Sequence, residues 1–145
     1  MFFGKYESNL DQKGRVVIPS KYREEIGEKL YLVKGFEGCV SLYKEEDFTS
    51  FIDKLKSLQY EKSKVRQYQR LLLESVVELT IDKQGRVLIP TRTLKEYEIS
   101  SKVTIVGVIN HLELWDSVKY DNYKQDKEGN FELDAESLIE NNEER

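Results

Sequence analysis

The sequence predicts an α+β fold, mainly β, built from two tandem repeats with a helical connector and a C-terminal helix. A ten-residue phrase occurs twice, as LDQKGRVVIP at residues 10–19 and as IDKQGRVLIP at residues 81–90. Each copy is followed by a Ser or Thr, a short charged stretch and an apolar segment of strand length. Two halves of roughly 50 residues each bury too little apolar surface to fold alone, so we expect them to interlock or to oligomerise.

Each copy of the phrase predicts a tight turn. Asp11 and Asp82 stand where a side-chain carboxylate accepts backbone N–H bonds. Gly14 and Gly85 stand where a short hairpin loop needs a positive φ. We therefore expect these four residues to shape two matching turns.

Strand-length runs flank both turns and predict two β-hairpins. The four runs are 1–10, 15–18, 75–80 and 86–89. Pro19 and Pro90 lack the N–H that a ladder needs, so each outgoing strand stops there. Ser20 and Thr91 follow at the N-cap position of a short helix that reaches to about 26 or 97.

The remaining pattern predicts two more short strands in each repeat and helices between and after the repeats. The strands are expected at 30–33, 40–43, 103–106 and 112–115. Helical periodicity is found at 44–57 and 60–73, and a short polar helix is expected over 115–123. The predicted segments are a first repeat with the start of the connector (1–56), a helical connector (57–74), a second repeat (75–123) and an acidic, flexible tail (124–145).

The charge of the chain is unevenly distributed. The whole chain carries −4, and from residue 126 onward eight acidic residues stand against two basic ones. The tail therefore carries −6 and residues 1–125 carry +2. An acidic net charge thus does not exclude nucleic acid as a partner, because a local basic patch makes the phosphate contacts.

Composition predicts a soluble cytoplasmic protein without disulfides. The sequence has neither an apolar run of transmembrane length nor the pattern of a signal peptide at its start, so no membrane partner is expected. A single cysteine, Cys39, has no internal partner. In a strand-like context it is expected to be a small buried hydrophobe.

The residues do not predict an enzyme. His111, the one histidine, lies in a turn-like position without a nucleophile or a second metal ligand at useful spacing. The repeats lack a phosphate-binding glycine loop. Asp11 and Asp82 suit turn formation better than acid/base catalysis, so no catalytic residue, metal or cofactor is expected.

Basic residues do cluster at the two turns. Lys13 and Arg15 flank the first turn, and Lys83 and Arg86 flank the second. An arginine fork matches phosphate and the guanine edge, and a two-stranded ribbon fits the major groove. The competing interpretation is that the Asp–Arg pairs are only structural, although an aspartate can also orient an arginine that contacts DNA.

These motifs resemble the MraZ family, the transcriptional regulators associated with the division and cell-wall gene cluster of bacteria. The resemblance rests on the doubled D-x-x-x-R-V/L-x-I-P phrase, the Met-Phe-x-Gly opening, the helical connector and the Trp115 region, and it covers residues 1–125. It implies a pseudo-two-fold, swapped-hairpin β-barrel of two AbrB/SpoVT-type halves.

The resemblance also implies a function. It implies ring-shaped homo-oligomers in the cytoplasm, associated with the nucleoid, that bind short direct repeats in double-stranded promoter DNA. Transferred residue by residue, DNA contact falls on Arg15 and Arg86, with Lys13 and Lys83 as further candidates.

Three alternatives stay open. An AbrB-like antitoxin shares the fold but usually carries one such motif. An oligomeric scaffold that does not bind DNA would bury the two arginines in subunit ion pairs. An enzyme would need a concave pocket that Asp11, Asp82 and His111 line together.

Overall fold

The computed structural model of the chain describes residues 1–143, with side chains described as far as residue 139. It is a mixed α+β structure in which two antiparallel sheets carry the two repeats. In chain order the elements are β1 (Lys5–Asn9), β2 (Arg15–Val17), α1 (Ser20–Ile26), β3 (Lys29–Lys34), β4 (Val40–Lys44), α2 (Glu45–Lys56), α3 (Ser63–Leu73), β5 (Val77–Thr80), β6 (Arg86–Leu88), α4 (Thr91–Glu96), β7 (Lys102–Val108), β8 (His111–Asp116), α5 (Ser117–Lys127), a 3-10 turn (Glu128–Asn130) and α6 (Phe131–Glu143).

The two repeats exchange strands. The larger sheet has the order β1-β7-β8-β4-β3-β5, and the smaller sheet is the two-stranded ribbon of β2 and β6. β1 of the first repeat pairs with β7 of the second, and β5 of the second repeat pairs with β3 of the first. The ribbon takes one strand from each repeat. The expected interlocking of the halves is therefore confirmed.

The prediction of two β-hairpins is wrong in its pairing. Both turns form, but β1 does not pair with β2, and β5 does not pair with β6. The reason is apolar burial. Val16 and Val87 lie directly opposite each other in the ribbon and are fully buried, and burial of apolar side chains stabilises this pairing.

The ladders give an open larger sheet. Among the described strands, β1 and β5 are its edges. The closed swapped-hairpin barrel that the resemblance implies therefore stays a prediction, while the mixed, mainly antiparallel fold is confirmed.

The larger sheet has two differently covered faces. Its inner face packs against the ribbon and α1 in one core, to which β3, β4, β7 and β8 contribute Leu30, Leu32, Val40, Leu42, Val103, Ile105, Leu112 and Leu114. On its outer face, Val33 and Tyr43 pack against Leu55 of α2 and Leu72 of α3. The ribbon and the connector helices therefore lie on opposite sides of the sheet.

Two predicted helix starts are shifted by one residue. Ser20 and Thr91 are the first helical residues, and Pro19 and Pro90 occupy the N-cap positions without a side-chain cap. The two prolines still have extended ψ angles, 130° and 140°, and the residue after each proline is the first of the helix.

The polar helix predicted from residue 115 begins later, as α5. Trp115 still belongs to β8, and Asp116 caps α5 by accepting a bond from the Lys119 N–H at 3.3 Å. The acidic tail contains α6, whose side chains are exposed as far as residue 139. Residues 144 and 145 of the predicted tail lie outside the described residues, and the flexibility of the tail stays a prediction.

None of the helices described is both long enough and apolar enough to span a membrane.

Substitution of Gly107 tests how closely the N-terminal residues pack against β7. Phe2 and Ile109 exchange two backbone bonds of 2.8 Å beside it, and a Cβ on Gly107 would lie 2.3 Å from the Phe3 nitrogen. We expect Gly107→Ala to lower the free energy of unfolding by about 1–3 kcal/mol in urea titrations, because the backbone must move.

Gly129→Ala is the matched control. No atom lies within 4 Å of a Cβ at that position, so the free energy of unfolding should change by less than ~0.5 kcal/mol. Equal effects of the two substitutions would contradict the close packing of the N-terminus on β7.

Candidate nucleic-acid interface

The two turns have the same hydrogen-bond pattern. In the first, the Gly14 N–H donates to the Asp11 carbonyl at 3.0 Å, and the Asp11 N–H donates to the Arg15 carbonyl at 3.0 Å. In the second, the corresponding bonds join Gly85 to Asp82 at 3.0 Å and Asp82 to Arg86 at 2.9 Å. The repeated sequence therefore produces a repeated backbone structure.

Each aspartate holds its arginine by the side chain. Oδ1 of Asp11 accepts the backbone N–H groups of Lys13 and Arg15 at 2.9 Å, and Oδ2 accepts Arg15 Nε at 2.6 Å. Asp82 makes the corresponding bonds to Gln84 and Arg86, all at 2.9 Å. In each turn the aspartate thus accepts backbone bonds and forms a local ion pair with the arginine four residues on.

The ion pair leaves the outer end of each arginine available. Arg15 and Arg86 each donate to the aspartate through Nε. In the described structure, their Nη groups make no hydrogen bond. The side chains retain 28% and 26% of their surface exposed. Each aspartate thus fixes the direction of a guanidinium group whose two terminal nitrogens can still donate to a ligand.

Both arginines lie on the same outer face of the ribbon. Arg15 is opposite Leu88, and Arg86 is opposite Val17, so the arginines occupy diagonal corners. Successive strand residues point to opposite faces, which places the buried Val16 and Val87 on the inner side. Strand exchange therefore brings the two arginines, predicted from separate repeats, onto one surface.

Val17 and Leu88 are members of this surface that the sequence analysis did not identify. Their side chains are 42% and 54% exposed, although each lies in an aliphatic run. The signal that identifies them is strand alternation, since Val16 and Ile18 are buried on either side of Val17. The outer face of the ribbon therefore combines two cationic corners with two apolar ones.

The glycines of the turns have two reasons to lack a side chain. Gly14 and Gly85 have φ of 86° and 77°, in the left-handed region that favours glycine. A Cβ on Gly85 would also lie 2.1 Å from Arg23 Nε, and one on Gly14 would lie 3.3 Å from Leu94. The short helix of each repeat thus packs on the turn of the other.

This packing makes the two ends of the ribbon unequal. Arg23 lies beside the second turn, where its Nε also donates to the Ile18 carbonyl at 3.0 Å. Leu94 takes the equivalent place beside the first turn. Lys13 and Lys83 are both exposed at the turns, but they occupy different positions within them, as the reversed Gln/Lys order requires.

Asp11, Asp82 and His111, the three residues considered for an enzyme, do not line one pocket. His111 begins β8 and does not lie in a turn, so that prediction is wrong. Its ring stacks on Tyr43 at 4.9 Å because it points to the outer face of the sheet. Asp11 and Asp82 lie in the turns, and neither lines the cavity beside His111. Cys39 is fully buried as predicted, and burial raises the pKa of its thiol to about 12.

Comparison with known proteins identifies the same repeat. The family described as "MraZ protein, putative antitoxin-like" matches the chain twice, at residues 1–71 and 72–142. The two matches cover nearly the whole sequence, and each contains one copy of the turn.

Several relatives align over almost their full length. The protein named Transcriptional regulator MraZ in Acetivibrio thermocellus is 40% identical to this chain, over 97% of this chain and 95% of the relative. The protein of that name in Caldanaerobacter subterraneus subsp. tengcongensis shares 38% identity, over 95% of this chain and 96% of the relative. A third protein of that name, from Syntrophomonas wolfei subsp. wolfei, is 38% identical to this chain, over 97% of this chain and 98% of the relative.

The lowered pKa values of the two turn aspartates predict that the stability of the fold decreases in acid. Backbone N–H bonds, followed by the arginine side chains, hold the pKa of Asp11 and Asp82 below the ordinary value of 3.8. A lowered pKa in the folded state adds stability above the unfolded pKa, and this is lost as the pH falls through the folded value. We expect urea titrations from pH 7 to pH 2 to show the loss beginning near pH 4.

Asp11→Asn/Asp82→Asn is the test variant, because asparagine keeps the shape and does not titrate. Its stability should fall less than that of the wild-type chain over the acid range. Parallel pH profiles for the two proteins would contradict the assignment of this titration to the turns.

Proposed function

The chain belongs to the MraZ family, and we propose that it is a sequence-specific DNA-binding regulator of transcription. The relatives bear the name of transcriptional regulators and not of enzymes, which fits a protein without catalytic activity. The observation that carries the proposal is the outer face of the ribbon, where Arg15 and Arg86 are oriented by aspartates with their terminal nitrogens available.

The geometry supports different roles for the arginines and the lysines of the ribbon. Arg15 and Arg86 are held rigidly, which favours direct contact with base edges in the major groove. Lys13 and Lys83 are exposed and flexible point charges at the turns, and they contact the phosphate backbone. Val17 and Leu88 lie between the arginines and provide apolar contact, for example to a thymine methyl group.

The proposal extends to the assembly. One ribbon presents a small surface, so a single chain binds DNA weakly. A ring-shaped homo-oligomer displays several ribbons at a fixed spacing, and short direct repeats in a promoter engage several of them at once. The target that the family resemblance implies is the promoter of the division and cell-wall gene cluster.

An antitoxin is the second candidate, because the matching family is described as antitoxin-like. It also binds DNA through this kind of ribbon, but it uses its tail to hold a toxin. The doubled motif within one chain favours the regulator. A scaffold that does not bind DNA is the third candidate, and the available Nη groups of the arginines argue against it.

The first test replaces the arginines. Arg15→Ala/Arg86→Ala should weaken binding to a promoter fragment by at least about tenfold, since each arginine contact to a base contributes ~1–3 kcal/mol. Binding is measured by fluorescence anisotropy at two salt concentrations, with the oligomer mass measured by analytical ultracentrifugation. Arg70→Ala is the matched control, because Arg70 is exposed on α3, on the opposite side of the sheet.

The outcomes separate a protein that binds DNA through the ribbon from a scaffold that does not. Weaker binding with an unchanged oligomer supports the proposal. Unchanged binding would contradict it, and loss of the oligomer would favour the scaffold. Arg15→Lys/Arg86→Lys adds a finer comparison: it should retain binding to unrelated DNA and lose preference for the promoter, because lysine keeps the charge without the fork.

The acidic tail provides a second test. Residues 126–145 carry −6 against +2 for the rest of the chain, so they are expected to oppose contact with DNA of any sequence. A chain that ends at residue 125 should bind unrelated DNA more tightly at low salt, and the difference should shrink as salt screens the charges. Equal affinity of the two chains at low salt would contradict this role.

A further inference from the structure

The cavity beside His111 lies on the side of the sheet away from the ribbon. It has a volume of about 350 Å³, within the range of small-molecule sites. Its floor is the outer face of the central strands β4 and β8, and α2 and α3 form its walls. The principal side chains that line it are Ser41, Tyr43, Phe51, Tyr68, Leu71, His111 and Glu113.

The walls of this cavity are aromatic. Tyr43 is stacked against Phe51 at 5.0 Å and against His111 at 4.9 Å, so three rings form one packed surface from the floor to the α2 wall. Tyr68 approaches from α3, and Phe36, which is 71% exposed, stands at the mouth. Burial raises the pKa of Tyr43 to about 12, so its hydroxyl stays neutral at physiological pH.

Glu113 places a carboxylate in this apolar surrounding. Its side chain is 23% exposed, and it lies directly opposite Ser41 in the sheet. Trp115 Nε1 donates to Oε1 at 3.1 Å, and His111 Nε2 lies 3.9 Å from Oε2. Burial works against its ionisation, but the nearby His111 ring and the hydrogen bond from Trp115 outweigh burial and hold its pKa below the ordinary value.

This carboxylate has no strong cationic partner. No lysine or arginine of the described residues forms an ion pair with Glu113; the nearest cationic candidate is His111. Lys34 also lines the cavity, but its Nζ lies 4.0 Å from Glu96 and over the ring of Tyr97. An ammonium group placed against this carboxylate adds a charge-assisted hydrogen bond in a partly desolvated site.

From this arrangement we propose that the cavity binds a small protonated aromatic amine, with its ammonium group on Glu113 and its ring among Tyr43, Phe51 and Tyr68. Aromatic rings beside a carboxylate are a combination by which proteins recognise organic ammonium groups. The cavity is large enough for one aromatic ring with a short chain. This site is separate from the ribbon and does not depend on the proposed function.

The test uses two probes of the same shape and opposite charge. Phenethylamine carries an ammonium group on a two-carbon chain, and 3-phenylpropionate carries a carboxylate there. Binding is measured by calorimetry and by the fluorescence of Trp115. The chain has one tryptophan and one histidine, so each signal comes from a single residue. Trp115 donates to Glu113, and His111 lines the cavity, where its imidazole shift is followed by proton NMR.

The expected result is binding of phenethylamine and none of 3-phenylpropionate. Glu113→Gln should weaken phenethylamine binding at least tenfold while the far-ultraviolet circular dichroism stays unchanged. Leu71→Trp, which adds bulk at the exposed rim, should also weaken it, and this variant is measured by calorimetry because it adds a second tryptophan. Glu7→Gln is the matched control, because Glu7 is exposed on β1 away from the cavity and should leave binding unchanged.

Three results would overturn the proposal. The first is the failure of phenethylamine to bind at millimolar concentration. The second is equal binding of both probes with no effect of Glu113→Gln, which would make the cavity merely apolar. The third is a change of oligomer mass in Glu113→Gln with unchanged phenethylamine binding, which would assign the carboxylate to a cation from a second copy of the chain.

Discussion

The structure depends on the fact that neither repeat can complete its own core. The inward side chains of the ribbon, Val16 and Val87, are buried only when they lie opposite each other, and each comes from a different repeat. β1 and β5 likewise take their partners from the other half of the chain. Apolar burial therefore couples the repeats, and the arrangement of the surface follows from that coupling.

The candidate interface is the outer side of the same ribbon. Because the two strands run antiparallel in this register, Arg15 and Arg86 reach diagonal corners of one face. Asp11 and Asp82 then fix the direction of each guanidinium group through Nε and leave the terminal nitrogens available. A buried pairing that serves stability thus also sets the spacing of the charges proposed to meet DNA.

Local features were predictable from the sequence, and long-range pairing was not. Asp11, Gly14 and their counterparts determine a turn within five residues, so the phrase itself contains the information. Which strand pairs with β1 depends on competition between partners far apart in sequence, and a tight turn suggests the wrong one. Val17 and Leu88 were missed for a related reason: an aliphatic run does not show which side faces the core until its partner is known. The cavity beside Glu113 arises only when α2, α3 and β8 meet.

The central claim is that the exchanged strands form one cooperative unit, and native-state hydrogen exchange tests it most directly. The Ile18 N–H donates to the Gly85 carbonyl at 2.8 Å, and the Ile89 N–H donates to the Gly14 carbonyl at 3.0 Å, so each amide is protected by the other repeat. If the claim holds, both amides exchange with the same opening free energy as the amides of β7 and β3, equal to that of global unfolding. Exchange of one repeat at a clearly lower free energy than the other would show that the halves open independently and would contradict the account.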